Sequence, residues 1–306
     1  MYILGFLSDG FGNKLYMLTY YIHIFFKIKK YKKIEKIYLV SYTSDHEKDT
    51  EKEKIYNIFP SLKKQKWLVW IDWDKYKTLK KNIKQTIIDT EIKEYNKIKL
   101  PLNLKGYIFD KRYFIQSERF FNKLYQFNST FKKLNNNFDY NSIAIHIRLG
   151  DKIDYVYDFV IKGKKNTRVF AVYTPEFYRD LLKNFDTKIK VYIFTDSPQI
   201  FQKFYAKHIK HKFELVNVEF YEAFYLMSKF RNIIISESTL SIYASYLNDF
   251  NKKRIFGHKY MIQTGKISKI TYIESNLITT NALLLNDTKY FLNENSKLLE
   301  EIYSFN

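Results

Sequence analysis

The sequence places an uncommon arginine directly after a short apolar run. Residues 142–155 read SIAIHIRLGDKIDY. Arg148 follows a strand-like segment, with His146 two residues before it and Asp151 three residues after it. Only seven of the 52 Lys and Arg residues are arginine. A planar guanidinium can bind two phosphate oxygens at once, which an ammonium cannot do. Arg148 is therefore a candidate for anion binding, and the plainer alternative is an ion pair with Asp151.

Further polar side chains end two other strand-like runs, at 190–196 and 232–238, the second of which opens a helix. These residues are Thr195, Asp196, Ser236, Ser238 and Thr239. A helix N-terminus offers free N–H groups and the positive end of its dipole, which suits phosphate. Because the carboxyl ends of parallel strands meet at one edge, we expect these groups and Arg148 to form a phosphate clamp. Alternatively, Ser238 and Thr239 only cap the helix.

Two glycines, Gly10 and Gly12, lie in the segment SDGFGN at 8–13, between a strand-like run at 2–7 and an apolar segment that begins at Lys14. Their spacing resembles a truncated dinucleotide-binding fingerprint, but the third glycine is missing. A tight turn is the simpler interpretation of these glycines.

Strand-like and helix-like segments alternate along the chain, which predicts an α/β protein with parallel sheets. Residues 74–97 are expected to be helical in part, and residues 148–173 to form a loop. A polar break near 135–137 separates two halves, so we expect domains at 1–137 and 138–306. The predicted strands are 2–7, 36–42, 66–72, 142–147, 190–196, 213–218 and 232–238, and the predicted helices are 14–26, 109–127, 174–185, 198–209, 222–230 and 239–250.

Composition narrows the classes of function. The chain of 306 residues has no cysteine, which excludes disulfides and thiolate metal sites. Its net charge of +20 would suit nucleic acid or an anionic substrate, but the lysines are spread evenly, as a coding sequence biased toward A and T would produce. The N-terminus lacks a signal-peptide pattern, and the apolar segment 15–26 is too short to span a bilayer. We expect a cytoplasmic protein with at most peripheral membrane association.

Five segments together resemble the α-1,2-fucosyltransferase family, glycosyltransferase family 11, and occur in that family's order. They are GFLSDGFGNKLYMLTYY at 5–21, YFIQSERFF at 113–121, HIRLGD at 146–151, IFTDSP at 193–198 and LMSKFRNIIISESTLSIYASYL at 226–247. The resemblance implies a GT-B fold, in which two Rossmann-like domains face a central cleft. Residues 1–137 would form the acceptor side and residues 138–306 would bind the nucleotide sugar. It also implies inverting transfer of fucose from GDP-fucose to a glycan hydroxyl, without a metal or other cofactor.

The resemblance assigns roles to single residues. Arg148 would bind the β-phosphate of the donor, and His146 would lie near the nucleotide. The remaining residues of the expected donor site are Gly10, Gly12, Asn13, Asp196, Ser238, Thr239 and Ser241. An inverting reaction also needs a base for the acceptor hydroxyl, for which Asp9 and Asp151 are the candidates. The letters Asp72-Trp73-Asp74 match a metal-binding D-x-D, but we interpret them as ordinary loop carboxylates.

Two positions depart from the family pattern. Leu149 stands where the family has a second arginine, and Glu237 replaces an asparagine. We expect Leu149 to pack among apolar groups, with no cation to take over the missing role. Because tandem arginines accompany GDP-fucose, two alternatives stay open: a transferase for another nucleotide sugar such as a UDP sugar, and a protein that only binds the nucleotide sugar. The net charge and the abundant aromatic residues leave a nucleic-acid-binding protein as a third alternative.

Several aromatic and histidine residues are ambiguous in the sequence. Five aromatic side chains could stack on sugar rings of an acceptor, and the sequence does not select among Tyr20, Tyr21, Trp67, Trp70 and Trp73. His208 and His211 have no carboxylate pattern around them and are expected to be exposed.

Overall fold

The computed structural model describes residues 1–8, 10–41, 50–88, 92–105, 118–164, 171–247, 253–263, 271–274 and 282–305. The chain divides into two compact units, Met1–Lys133 and Leu134–Asn306, a division slightly before the one expected after residue 137. Each unit contains a parallel sheet with helices in its connections. The predicted α/β class with two Rossmann-like sheets is therefore confirmed.

The sheet of the first unit has the strand order β3-β2-β1-β5-β4, and its strands pair in parallel. Its strands are β1 (Tyr2–Leu7), β2 (Lys36–Ser41), β3 (Leu68–Trp70), β4 (Gln85–Ile88) and β5 (Leu102–Lys105). Its described helices are α1 (Phe11–Lys29), α2 (Thr50–Ile58), α3 (Pro60–Lys63), α4 (Trp73–Lys80) and α5 (Glu118–Leu124), with a 3₁₀ turn at Tyr95–Lys97. A further 3₁₀ segment, Ser129–Asn137, includes residues of both units.

Helix α1 packs closely on β1 and is buried along most of its length. A Cβ atom on Gly5 would lie 2.7 Å from a ring carbon of Tyr21, so the glycine permits this close approach. The helix begins at Phe11 and not at Lys14, which places Gly12 in its first turn, and Gly10 precedes it with an extended backbone. The interpretation as a tight turn is therefore wrong for Gly12, whereas the connection at Gly10 includes Asp9, which lies outside the described residues. None of the described helices has the length and apolar character needed to cross a membrane.

The second unit is built on a six-stranded parallel sheet in the described residues. Its strands are β6 (Ile143–Ile147), β7 (Val191–Thr195), β8 (Phe213–Leu215), β9 (Asn232–Ile234), β10 (Arg254–His258) and β13 (Ala282–Leu285), and β11 (Tyr260–Gln263) with β12 (Thr271–Glu274) forms an antiparallel pair. Its helices are α6 (Gly150–Val160), α7 (Pro175–Leu182), α8 (Pro198–Ile200), α9 (Phe220–Lys229), α10 (Thr239–Tyr246) and α11 (Ser296–Phe305). Helix α8 continues through a π turn at Phe201–Tyr205 and a 3₁₀ turn at Ala206–His208, and further 3₁₀ turns lie at Thr288–Tyr290 and Leu292–Glu294.

The strand order of this second sheet is β13-β10-β9-β6-β7-β8. When the six strands are numbered in chain order and counted from β8, this is the Rossmann order 3-2-1-4-5-6. The strands β6, β7 and β8 follow one another toward one side of the sheet, and β9, β10 and β13 toward the other, so that the strand order reverses between β6 and β9. The chain leaves β6 toward β7 and returns to place β9 on the other side. The connections that follow β6 and β9 therefore diverge, and ligands of such sheets bind in the crevice between them at the carboxyl edge.

Three segments depart from the predicted elements. The expected loop after Arg148 is largely helix α6, in which Ile153 and Val156 are fully buried. Strands β4 and β5 were not predicted, because β4 follows a lysine-rich segment and both strands are only four residues long. The predicted helix 109–127 lies in part outside the described residues, and α5 forms its described portion.

Candidate functional site

The candidate site lies where the strand order of the second sheet reverses. Arg148 comes directly after β6, Asp196 directly after β7, and Ser236 shortly after β9. Helix α10 then begins at Thr239 beside the same edge. The topology thus brings together the polar groups that the sequence placed at three separate strand ends.

Arg148 is held by two carboxylates. Its Nη2 donates to Oδ1 of Asp151 at 2.5 Å, and its Nη1 donates to Oδ2 of Asp196. The other oxygen of Asp196 accepts the Leu149 N–H at 2.9 Å. The simple ion pair with Asp151 is therefore present, with Asp196 as a second partner. A guanidinium has five N–H donors, and with 34% of its side chain exposed Arg148 keeps donors for a further anion.

Gly150 permits this arrangement of charges. Its backbone φ is +27°, and an added Cβ atom would lie 2.5 Å from Oδ2 of Asp196. Its N–H donates to Oγ of Ser197 at 3.0 Å. Any side chain at this position would displace Asp196 from Arg148. The absence of a side chain on Gly150 therefore allows Arg148, after β6, to contact Asp196, after β7.

Leu149 is fully buried and belongs to the hydrophobic core of the second unit. Its neighbour Arg148 is partly exposed, as expected for adjacent residues that point to opposite sides. The prediction for Leu149 is confirmed, and the position cannot supply a cation to the site.

Lys152 provides a second cation that the sequence analysis missed. It lies on the first turn of α6, is only 8% exposed, and its Nζ donates to the backbone carbonyl of Glu237. Burial lowers the pKa of Lys152, the charge of Arg148 lowers it further, and Glu237 opposes both effects. Lys152 is therefore a candidate to replace the second arginine that the sequence analysis did not consider. The sequence did not predict this position of Lys152, because residues 148–173 were expected to form a loop.

His146 joins the two strands that flank the reversal. Its Nδ1 lies 2.8 Å from Oγ of Ser236, and both side chains are buried. Burial lowers the pKa of His146 to about 3, and the charges of Arg148 and Lys152 add to this effect. His146 is therefore neutral at physiological pH and links β6 to the segment after β9.

The start of α10 contributes hydroxyl groups and backbone donors. Ser238 is the N-cap residue of the helix, as one alternative expected, but its side chain makes no capping hydrogen bond. Ser238 and Thr239 are half-buried, whereas Ser241 is fully buried and its hydroxyl donates to the Ser238 carbonyl at 3.2 Å. Ser241 thus stabilises the helix start, and Ser238 and Thr239 are the better placed hydroxyls for a ligand.

The predicted residues of the first loop belong to the first unit. Asp9 lies outside the described residues, Gly10 is exposed, Gly12 is buried, and Asn13 is half-buried in the first turn of α1. The described first turn of α1 contains no acidic side chain, which leaves the positive end of its dipole uncompensated by carboxylates within the helix.

The D-x-D letters serve the start of α4. Asp72 caps the helix by accepting the Lys75 N–H at 2.7 Å, and Asp74 is exposed and lies 3.4 Å from Nζ of Lys77. Asp72 therefore serves as a helix cap, and Asp74 lies in the first turn of α4 and not in a loop. In the part of the chain that the structure describes, no three His, Cys, Asp or Glu residues are grouped closely enough to hold a metal ion.

The structure separates the aromatic candidates. Tyr20 and Tyr21 are buried, Trp67 stacks on Phe25 with ring centres 5.2 Å apart, and Trp70 packs edge-on against Tyr56. Trp73 differs from them, because 40% of it is exposed.

The two ambiguous histidines also differ from each other. His211 is 6% exposed, so its expected exposure is wrong. His208 is half-buried, with Nδ1 at 3.7 Å from Oε1 of Glu176.

No protein-family model matches the sequence, and no curated protein sequence is significantly similar to it. Among solved structures, the chain is similar to POFUT1 in complex with GDP, with 9% identity and a TM-score of 0.47 over 84% of this chain and 98% of that chain. It is also similar to NodZ alpha-1,6-fucosyltransferase soaked with GDP-fucose, with 12% identity and a TM-score of 0.49 over 89% of this chain and 98% of that chain. Similarity at this level does not establish a common activity, which has to be inferred from the residues of the chain itself.

Proposed function

We propose that the second unit binds a nucleoside diphosphate sugar at the carboxyl edge between β6 and β9, and that the protein transfers the sugar to a glycan hydroxyl. One observation carries this proposal. Arg148, the buried Lys152 and the start of α10 converge at the reversal of a Rossmann strand order, where such sheets bind nucleotides.

The charges of this site suit the chemistry of glycosyl transfer. Cleavage of the bond to the sugar builds negative charge on the departing diphosphate, and fixed donors aimed at those oxygens stabilise the transition state. Arg148 would supply its remaining N–H groups, and Lys152 would supply the charge that Leu149 lacks. The hydroxyls of Ser238 and Thr239 and the first N–H groups of α10 would complete the diphosphate site.

Asp151 and Asp196 have a supporting role in this proposal. Both carboxylates bind the guanidinium of Arg148 and would fix its orientation before the donor arrives. A carboxylate that is paired in this way is a poor base for an acceptor hydroxyl, so Asp9 remains the candidate base for an inverting reaction.

GDP-fucose is the first donor to test, because the five sequence segments resemble the α-1,2-fucosyltransferase family. A UDP sugar is the alternative, because the second cation is Lys152 in place of the arginine next to Arg148. The proposal includes a GT-B arrangement, with the first unit on the acceptor side.

Calorimetry with GDP, UDP, CDP and dTDP tests the proposal, with each titration made in EDTA and again with magnesium. We expect one diphosphate to bind in EDTA and to bind far more weakly to the Arg148→Lys variant. Binding of none of the four, or binding only with the divalent ion, would overturn the proposed site. Binding of single-stranded RNA without binding of any diphosphate would favour the nucleic-acid alternative.

A donor hydrolysis assay then identifies the sugar. The purified protein is incubated with GDP-fucose and with several UDP sugars in the absence of acceptor, and the released nucleotide is measured. Slow release from GDP-fucose alone would support the fucosyl assignment. Release from a UDP sugar alone would replace it, and release from none would indicate a protein that only binds the nucleotide.

A further inference from the structure

An aromatic cluster lies at the carboxyl edge of the first sheet, in the unit that does not contain the proposed nucleotide site. Phe6 lies near the end of β1, and Trp73 and Tyr76 lie on the first turn of α4. The rings of Trp73 and Tyr76 stack with centres 5.0 Å apart and an angle of 7°, and Phe6 packs against both at 5.8 Å and 6.1 Å. Phe6, Trp73 and Tyr76 together form the Trp73 platform.

The platform presents one large ring in a fixed orientation. Tyr76 is 2% exposed, Phe6 is half-buried, and Trp73 is 40% exposed. One face of the indole is covered by Tyr76, so the exposed part of Trp73 lies away from that contact. An aromatic ring held by its neighbours loses little conformational entropy when a ligand stacks on it.

Polar donors flank these rings on β5. Lys105 places its Nζ 6.0 Å from the ring centre of Phe6, and Asn103 lies two residues earlier on the same side of the strand. Asn103 is fully buried and its Oδ1 accepts from the Tyr76 hydroxyl at 3.5 Å. In the described part of the chain its amide Nδ2 has no hydrogen-bond partner. A buried donor in that state marks a place for a further acceptor.

This combination matches a sugar ring better than other ligands. A pyranose has an apolar C–H face that stacks on indole, and a rim of hydroxyls that accept from amide and ammonium donors. The platform also lies at the carboxyl edge of a parallel sheet, where α/β proteins place their ligands. A nucleotide phosphate would need several donors at one point, whereas the platform combines one cation with three aromatic rings.

We infer that the Trp73 platform binds a pyranose ring of the acceptor glycan. Only the word acceptor rests on the proposed function, since binding of a sugar to the platform can be measured without donor or turnover. The inference also selects one residue from the five aromatic candidates, because Tyr20 and Tyr21 are buried and Trp73 is more exposed than the half-buried Trp67 and Trp70.

Tryptophan fluorescence tests this inference directly. The chain has three tryptophans, so the double variant Trp67→Phe, Trp70→Phe leaves Trp73 as the only indole. We expect lactose, cellobiose, chitobiose or maltose at millimolar concentration to shift or quench the emission of that variant. The matched variant Trp73→Phe keeps the two inner tryptophans and should show no change. An unchanged emission with all four sugars, or an equal change in Trp73→Phe, would overturn the inference.

A second measurement covers the case in which the double variant does not fold. In the otherwise unchanged protein, the best disaccharide is titrated by calorimetry against the original sequence, Trp73→Phe and Trp73→Ala. Aromatic stacking of about 0.5–1.5 kcal/mol corresponds to an affinity loss of about two- to twelvefold in Trp73→Ala, with most of it recovered in Trp73→Phe. Equal affinity in all three proteins would place the sugar elsewhere.

The nucleotide titrations distinguish the two proposals. If diphosphate binding fails while a sugar still binds Trp73, the transferase proposal is wrong and the platform stands as a carbohydrate site. If diphosphate binds and no sugar affects Trp73, the platform inference alone is wrong.

Discussion

Replacement of Lys152 by methionine separates the binding role of this lysine from its role in stability. Lys152 is almost completely buried and its Nζ donates to the Glu237 carbonyl beside the start of α10. Methionine keeps a similar length and apolar stem but removes the charge and the donor. The change therefore removes one cation of the proposed diphosphate site without opening a large cavity.

The expected magnitudes follow from these contacts. A charge-assisted hydrogen bond contributes about 1.5–3 kcal/mol, so loss of Lys152 should weaken diphosphate binding about 10- to 150-fold. Stability should change much less. The Glu237 carbonyl loses its partner at a cost of about 1–3 kcal/mol, while the penalty for burying an ammonium, of similar size or larger, disappears at the same time.

Calorimetric titration of the nucleoside diphosphate and urea unfolding are measured on the original protein and on Lys152→Met. The matched control is Lys164→Met, which removes an exposed lysine of the same unit that pairs with Asp158 and should alter affinity less than about twofold. If Lys152→Met binds diphosphate as tightly as the control does, Lys152 does not contact the donor. If it unfolds while the control is stable, the lysine is a structural residue.

The pH dependence of stability gives an independent test of the same lysine. Its pKa is lowered from 10.5 in the folded protein, so between the lowered value and 10.5 the unfolded chain binds more protons than the folded one. The unfolding free energy contributed by Lys152 therefore rises with pH across that window. The slope should be smaller in Lys152→Met, and an unchanged alkaline slope would contradict the assigned burial.

Four further predictions concern residues 146–150, at the end of β6 and the start of α6. Arg148→Lys should lower the transfer rate through a loss of about 3 kcal/mol of transition-state stabilisation, with an unchanged circular dichroism spectrum. Near-normal turnover in this variant would show that Arg148 has only a structural role. Leu149→Ala should lower the unfolding free energy by about 2–5 kcal/mol in urea, since the side chain is fully buried; a loss below about 1 kcal/mol would contradict this burial. Gly150→Ala should reduce the free energy of diphosphate binding more than the free energy of unfolding, because the added Cβ would lie 2.5 Å from Oδ2 of Asp196 and displace it from Arg148. An unchanged affinity would show that Gly150 is not needed to position these groups. The pKa of His146 is lowered from 6.5 to about 3, so the free energy of unfolding should decrease by about 1.4 kcal/mol per pH unit as the pH falls from 6.5 to about 3. His146→Gln should reduce this dependence on pH, and an equal dependence in both proteins would contradict a neutral buried imidazole.

Much of the local structure could be predicted from the sequence. The largely apolar segments 142–147 and 190–196 predicted buried parallel strands, observed as β6 and β7, and Thr174-Pro175 marks a helix start, observed at Pro175. The polar residues after these runs were identified as candidate ligand groups for the same reason, because residue type and chain position are local properties.

Other features depended on tertiary contacts that no local pattern encodes. Helix α6 is amphipathic, but its buried residues face a core supplied by distant segments, among them Leu299 and Ile302 of α11. Its helical phase decides that Lys152 lies beside Arg148 and near Glu237.

The sequence by itself determined which residue types follow each strand, and that Leu149 faces the core while Arg148 does not. Only the tertiary structure decided that β9 pairs with β6, that Asp196 and Asp151 share one guanidinium, and that Trp73 is exposed. The physical reason is that a hydrophobic pattern reports the local conformation of a few neighbouring residues and the side of an element that is buried. Strand pairing and burial, in contrast, depend on contacts such as that between Ile143 and Asn232, which are far apart in the chain.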